Sequence, residues 1–97
     1  MATERIPKGI RLVLVPELSK TSEEAAQELA MLLLATALHA ARNASTQAWM
    51  VERVEDNPLL TFVLTPLPGQ LVSAQNIYSL ELALYAQPYV CEVAPLF

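Results

Sequence analysis

Residues 21–43 read TSEEAAQELAMLLLATALHAARN, and this stretch decides the fold. It contains neither Gly nor Pro, and it is dominated by Ala and Leu, which lose little on entering a helix. Thr21-Ser22-Glu23-Glu24 has the form of a capping box. The Thr21 hydroxyl would accept from an otherwise unbonded helix N–H while Glu24 reaches back. Glu23 and Glu24 suit the positive end of the helix dipole and Arg42 the negative end, with Asn43 as C-cap. Leu29, Leu33 and Ala37 line one stripe, and Met31, Leu34 and Leu38 a neighbouring one. Together the stripes are wider than a helix packing by one face onto a sheet requires. One long helix is expected here.

Upstream, residues 9–15 (GIRLVLV) are β-branched and apolar and stop at Pro16. With so few polar positions they read as a central strand buried on both faces. Residues 1–7 are polar and Pro-marked, and are expected to fray. Downstream, residues 46–55 alternate, with Gln47, Trp49, Val51 and Arg53 against Ala48, Met50, Glu52 and Val54. The turn cluster Glu55-Asp56-Asn57-Pro58 then leads into an apolar strand over 59–65, stopped by Pro66, so the two strands form a hairpin. Pro66-Leu67-Pro68-Gly69 is a loop. Ser73 is the expected N-cap of a second helix to about Ala86, with Ile77, Leu80, Leu84, Tyr78 and Tyr85 facing inward. Pro88 stops that helix, residues 89–94 form the last strand, and Pro95 ends it.

The order strand, helix, strand, strand, helix, strand makes residues 1–97 a single α+β domain. It is the ferredoxin-like plait, an antiparallel sheet with both helices on one face. The other sheet face must meet water, a ligand or another subunit. Trp49, Val51 and the apolar run 59–64 point to a subunit.

Apolar residues make up 54% of the 97 and charged ones 16%, against roughly 45–50% and about 25% in an average domain. So few charges leave apolar surface for a second copy or a partner to cover. The net charge is −4 and the pI about 4.8. Arg5, Lys8, Arg11, Lys20, Arg42 and Arg53 are scattered rather than gathered into the basic stripe that polyphosphate binding needs, so no nucleic-acid partner is expected. The longest apolar stretch, 29–38, is broken by Thr36 and is about half a membrane span, so no membrane role is expected. The run 10–15 is too short for a secretory signal. Cys91 stands alone, which fits a reducing, cytoplasmic setting. The triplet Asn43-Ala44-Ser45 matches a glycosylation acceptor, a chance match if the chain stays in the cytoplasm.

Tested one by one, the common chemistries find no residues. His39 has Arg42 and Asn43 at the offsets where a second ligand would stand, so no metal site is expected. A catalytic Cys91 would need a base beside it, and a lone Cys in a strand is usually packing. Gly9 and Gly69 are the only glycines, too few for a phosphate cradle. The central strands lack the aromatic and basic pattern of RNA-binding sheets. Glu52 with Glu55 or Asp56 would be a carboxylate pair at a hairpin end, and Glu92 an interface or edge charge. No catalytic residue and no cofactor are expected.

Residues 49–66 (WMVERVEDNPLLTFVLTP) resemble the tryptophan-bearing hairpin of CutA-type proteins, in which an acidic turn leads into an apolar strand. Residues 85–96 (YAQPYVCEVAPL) are similar to the helix end, Pro-Tyr and final strand of that family, and residues 23–43 stand where its first helix does. CutA proteins share their architecture with the PII signalling proteins. The resemblance implies a ferredoxin-like trimer with clefts between subunits, in a family linked to metal tolerance and signalling. The chain departs from the family where Val15-Pro16-Glu17 replaces its Cys-Pro signature. The hairpin is also too short for a PII effector loop. Neither metal nor nucleotide binding carries over.

The expected function is that of a non-enzymatic homo-oligomer, a trimer or a dimer. It would be a small accessory or regulatory protein that acts by binding a protein partner. Trp49, Met50, Phe62, Tyr85, Tyr89 and Glu92 are the candidate interface residues, since large aromatic and Met side chains dominate interface energetics. One alternative is a small-molecule sensor or small enzyme of the dimeric α+β barrel type, with a cavity lined by Trp49, Met50 and Phe62 and a polar group such as His39 or Glu92. The other is a phage or host-interference protein whose function is its interface.

Overall fold

A computed structural model of the chain describes residues 6–41, 49–54, 58–70 and 72–97. Within them β1 (Gly9–Leu14) leads through a 3-10 turn (Pro16–Leu18) to α1 (Glu23–Ala40). Then follow β2 (Trp49–Val54), β3 (Thr61–Pro66), α2 (Ala74–Tyr85) and β4 (Val90–Leu96). The four strands form one sheet in the order β2-β3-β1-β4, and every neighbouring pair is antiparallel.

The register sorts the side chains. Ile10 lies opposite Leu64 and Leu12 opposite Phe62, and residues two apart on a strand share a face. With Leu14 these four are fully buried. The same cluster takes in Ala26, Ala30, Leu33, Leu34, Ala37 and Leu38 of α1 and Ile77, Leu80 and Leu84 of α2. Both helices therefore cover one face of the sheet. The alanines of α1 let its backbone approach closely, and Leu33, Leu34 and Leu38 fill the space beside them. Gln87 Nε2 ties the end of α2 to the Leu33 carbonyl of α1 at 3.3 Å.

Several expectations need correction. The first helix is capped by Ser22, whose Oγ accepts from the Ala25 N–H at 3.3 Å. Thr21 instead donates its backbone N–H to the Leu18 carbonyl, closing the 3-10 turn, so it stands one residue too early to cap. The expected C-cap, Asn43, lies outside the described residues, as do 1–5, the start of the second strand and the acidic turn. Ser73 caps α2 as expected, accepting from the Asn76 N–H at 3.1 Å. Pro95 does not end the last strand. β4 has a neighbour on one side only, and an edge strand tolerates the missing N–H where that side faces outward.

Two errors concern which way side chains face. Tyr78 and Tyr85 point out of the fold, because the inward arc of α2 is filled by Ile77, Leu80 and Leu84. Met31 is likewise exposed. Val51 lies opposite Leu64, so Trp49 and Val51 face the helices with Leu60, Phe62 and Leu64, and none of them stands on the open face.

Gly9 begins β1 where the backbones run close. A Cβ there would lie 2.6 Å from the Leu64 carbonyl oxygen and 2.8 Å from Thr65 Cγ2. Gly9→Ala is expected to cost about 1–3 kcal/mol by overpacking, seen as a lower urea midpoint with an unchanged slope.

Candidate interaction surfaces

The six candidate interface residues fall into three places. Phe62 and Trp49 belong to the core, at 0% and 6% exposure. Met50 and Glu92 stand on the open face of the sheet. Tyr85 and Tyr89 are exposed at the end of α2 and the turn that follows it.

The open face follows from the register. Across the strands one row runs Glu52, Val63, Arg11, Ala94, and the next runs Val54, Thr61, Val13, Glu92. Met50 with Thr65, and Gly9 with Leu96, extend it at the other end. Val13 and Thr61 are already buried within the chain, and the Thr61 hydroxyl donates to the Leu59 carbonyl at 3.1 Å. The rest is half-open or exposed: an apolar field of Met50, Val54, Val63, Ala94 and Leu96 crossed by three charges. Arg11 Nη1 and Glu92 Oε1 are 3.8 Å apart with both side chains well exposed, so the pair contributes little to stability in water. Its importance is its position, with Arg11 near the middle of the field and Glu52 two strands away on the other side.

The second surface is the outer side of α2. Tyr78, Leu82 and Tyr85 recur at i, i+4 and i+7, which places them in one row. They are 43%, 74% and 65% exposed. The helix leaves this row through Pro88-Tyr89, where Tyr89 has φ 70. A proline followed by a residue at positive φ is the pattern of a type II turn, whose second central position normally takes glycine. An L-residue with a large side chain is strained there. The Tyr89 carbonyl accepts from the Val15 N–H at 2.9 Å, which anchors the turn to the end of β1.

Glu81 sits on the flank of that row and was not singled out by sequence reasoning. It is the one charge in a twelve-residue helix, the only signal that could have found it. Its Oε2 is shut off from water with no hydrogen-bond partner. Burial raises its carboxyl pKa from the ordinary glutamate value, because a shielded site disfavours the charged form.

A cleft of about 250 Å³ opens between α1 and the edge strand β2, lined by Gln27, Met31, Leu34, Trp49, Met50, Val51 and Leu67. Gln27 Nε2 donates to the Val51 carbonyl at 3.2 Å across its floor. Trp49 and Met50 line it, whereas Phe62, His39 and Glu92 do not, and it lies beside one helix of a single chain rather than between two sheets. His39 is exposed in the last turn of α1, and Cys91, expected to be packed, is exposed on the edge strand. Among the described residues no three His, Cys, Asp or Glu side chains converge. No described helix is long and apolar enough to cross a membrane.

Compared with protein-family models, with curated proteins and with solved structures, the chain matches none.

Two substitutions probe α2. Glu81→Gln is expected to raise the melting temperature at pH 7. With a raised folded-state pKa, ionised Glu81 costs stability above that pKa, and the cost fades as the pH falls through the carboxylate range. The gain from Gln should therefore shrink as the pH falls and vanish in melts below about pH 4, under the unperturbed value for Glu. Tyr89→Gly should stabilise the isolated chain by about 1 kcal/mol through relief of the left-handed strain, read from urea unfolding. A loss there would mean that the tyrosine ring packs usefully within the chain.

Proposed function

We propose that this protein is a ferredoxin-like homo-oligomer, a dimer paired through its open sheet face or the trimer that its resemblance to CutA-type proteins implies. It works as a non-enzymatic accessory or regulatory subunit in a reducing, cytoplasmic setting, where the exposed Cys91 stays a thiol. The strand order and the shared helix layer support the ferredoxin-like arrangement. The net charge of −4 favours protein over nucleic acid as partner.

The observation that carries the oligomer is the open sheet face. Arg11 stands in its middle, with Glu52 two strands to one side and Glu92 on the neighbouring strand to the other. A face with a cation between two anions is self-complementary: a second copy laid against it brings each Arg11 toward the other's glutamates while the valines and Met50 are covered. A second reading, a small-molecule sensor, is favoured only by the cleft at Trp49 and Met50. That cleft is smaller than the roughly 300–1,000 Å³ of most ligand sites.

Native mass spectrometry at low micromolar concentration tests both readings. The expected result is an assembly, two chains where the sheet faces pair directly and three on the trimer reading, with no bound small molecule. Val63→Glu, in the middle of the face, should weaken the assembly by about 2 kcal/mol or more and leave a folded, lighter species with an unchanged circular dichroism spectrum. A wild-type monomer overturns the proposal, and a retained small molecule turns it toward the sensor.

A further inference from the structure

The outer row of α2 combines three features that a plain apolar stripe lacks. Its spacing of four and then three residues is the seam along which a second helix packs. Glu81 lies three residues after Tyr78 and four before Tyr85, one helical turn from each, and its shielded Oε2 has no partner. Tyr89, on the turn that ends the helix, keeps a large exposed ring in a seat that glycine would fill without strain.

The exposed row and the shielded carboxylate are unfavourable in the chain alone and become favourable with one kind of visitor. With one oxygen already shielded by the chain, the Glu81 carboxylate has lost part of its hydration, so a cation that meets its other oxygen from outside gains more than from a fully hydrated one. Tyr78 and Tyr85 on either side offer ring faces to a guanidinium or ammonium group. α2 carries no Lys or Arg of its own to compete. A second copy is the poorer occupant, because the chain holds ten acids against six bases.

We propose that Tyr78, Leu82 and Tyr85, with Glu81 at their flank, form the docking face for a basic amphipathic helix of a different protein, which seats apolar side chains along the row and a Lys or Arg against Glu81. The inference rests on the reading above only in that the protein works through protein contact, and it does not need self-association. Such helix-on-surface recognition is read by residues at i, i+3 or i+4, and i+7, the spacing α2 presents.

The test is selection from a displayed library of amphipathic helices, randomised at polar and apolar positions, panned against the full chain. Binders are expected to carry a Lys or Arg at one fixed place beside the apolar face. Their affinity should fall by about tenfold or more on Glu81→Gln and on Tyr85→Ser, and should be unchanged on Val63→Glu. Glu81→Gln keeps the shape and removes the charge, so a folding defect cannot mimic the loss, and a melting curve on each variant confirms this. A selection that yields no binder overturns the proposal, as do binders without a basic residue or binders indifferent to Glu81→Gln. Native mass spectrometry on the same variants separates the two readings. An assembly broken by Tyr85→Ser makes the row a contact between copies and overturns docking while the homo-oligomer stands. A wild-type monomer that selects basic helices leaves docking intact and removes the homo-oligomer.

Discussion

Everything in this fold depends on one pairing, β1 against β3, which sets Ile10 beside Leu64 and Leu12 beside Phe62 on a single face. That face carries no polar side chain at these positions and is covered by two helices at once. Because the strand period is two, a slip of one residue would turn Arg11 and Val63 toward the helices and strand the core residues outside. Gly9 helps to hold the register by letting the strands approach where no Cβ would fit. Each fully buried Leu, Ile or Phe contributes roughly 1.5–3 kcal/mol, so the correct register is separated from its neighbours by far more than the hydrogen bonds alone would provide.

That arrangement fixes what remains outside. A two-layer domain of this size has one sheet face and the outer sides of two helices to present to water, and this chain has few charges to spend on them. Two of the ten acids, Glu23 and Glu24, stand at the start of α1, where they meet the helix dipole. Little is left for the outer side of α2 or for the open sheet face. Five of the exposed large side chains fall there, Met50 and Val54 on the open face and Tyr78, Leu82 and Tyr85 in the row on α2, while Met31 and Leu32 stand exposed on α1.

The elements were legible in the sequence because their signals are local. The Gly- and Pro-free run of α1, the Ser73 cap and the β-branched runs of β1 and β3 each point one way. The division of β2 into Trp49, Val51 and Arg53 against Met50, Glu52 and Val54 was also legible. Which of those sets faced the helices was not, because that depends on the register Val51 opposite Leu64, a long-range fact. The tyrosines of α2 were misassigned for a related reason. A helix with apolar residues at 77, 80 and 84 and also at 78, 82 and 85 has two apolar arcs, and periodicity alone cannot say which one the sheet takes. Glu81 was missed because shielding of a carboxylate arises from packing, and Tyr89 because nothing in Pro88-Tyr89 announces a turn that normally asks for glycine.

The two surfaces lie on opposite sides of the molecule, since the open sheet face looks away from the helix layer and the α2 row looks away from the sheet. Pairing through one therefore leaves the other free. An assembly joined through its sheet faces carries each α2 row outward, one per chain, and a partner with more than one basic helix would then bind with the effective concentration of a linked site. This gives a physical reason for the unfavourable features of α2 to persist. A shielded, unpaired carboxylate and a strained tyrosine both weaken the isolated chain, yet both sit at the flank and end of one helix instead of being spread over the surface. Strain and an unpaired polar group that gather at one place, next to aligned exposed aromatics, are what the proposed docking on α2 would account for.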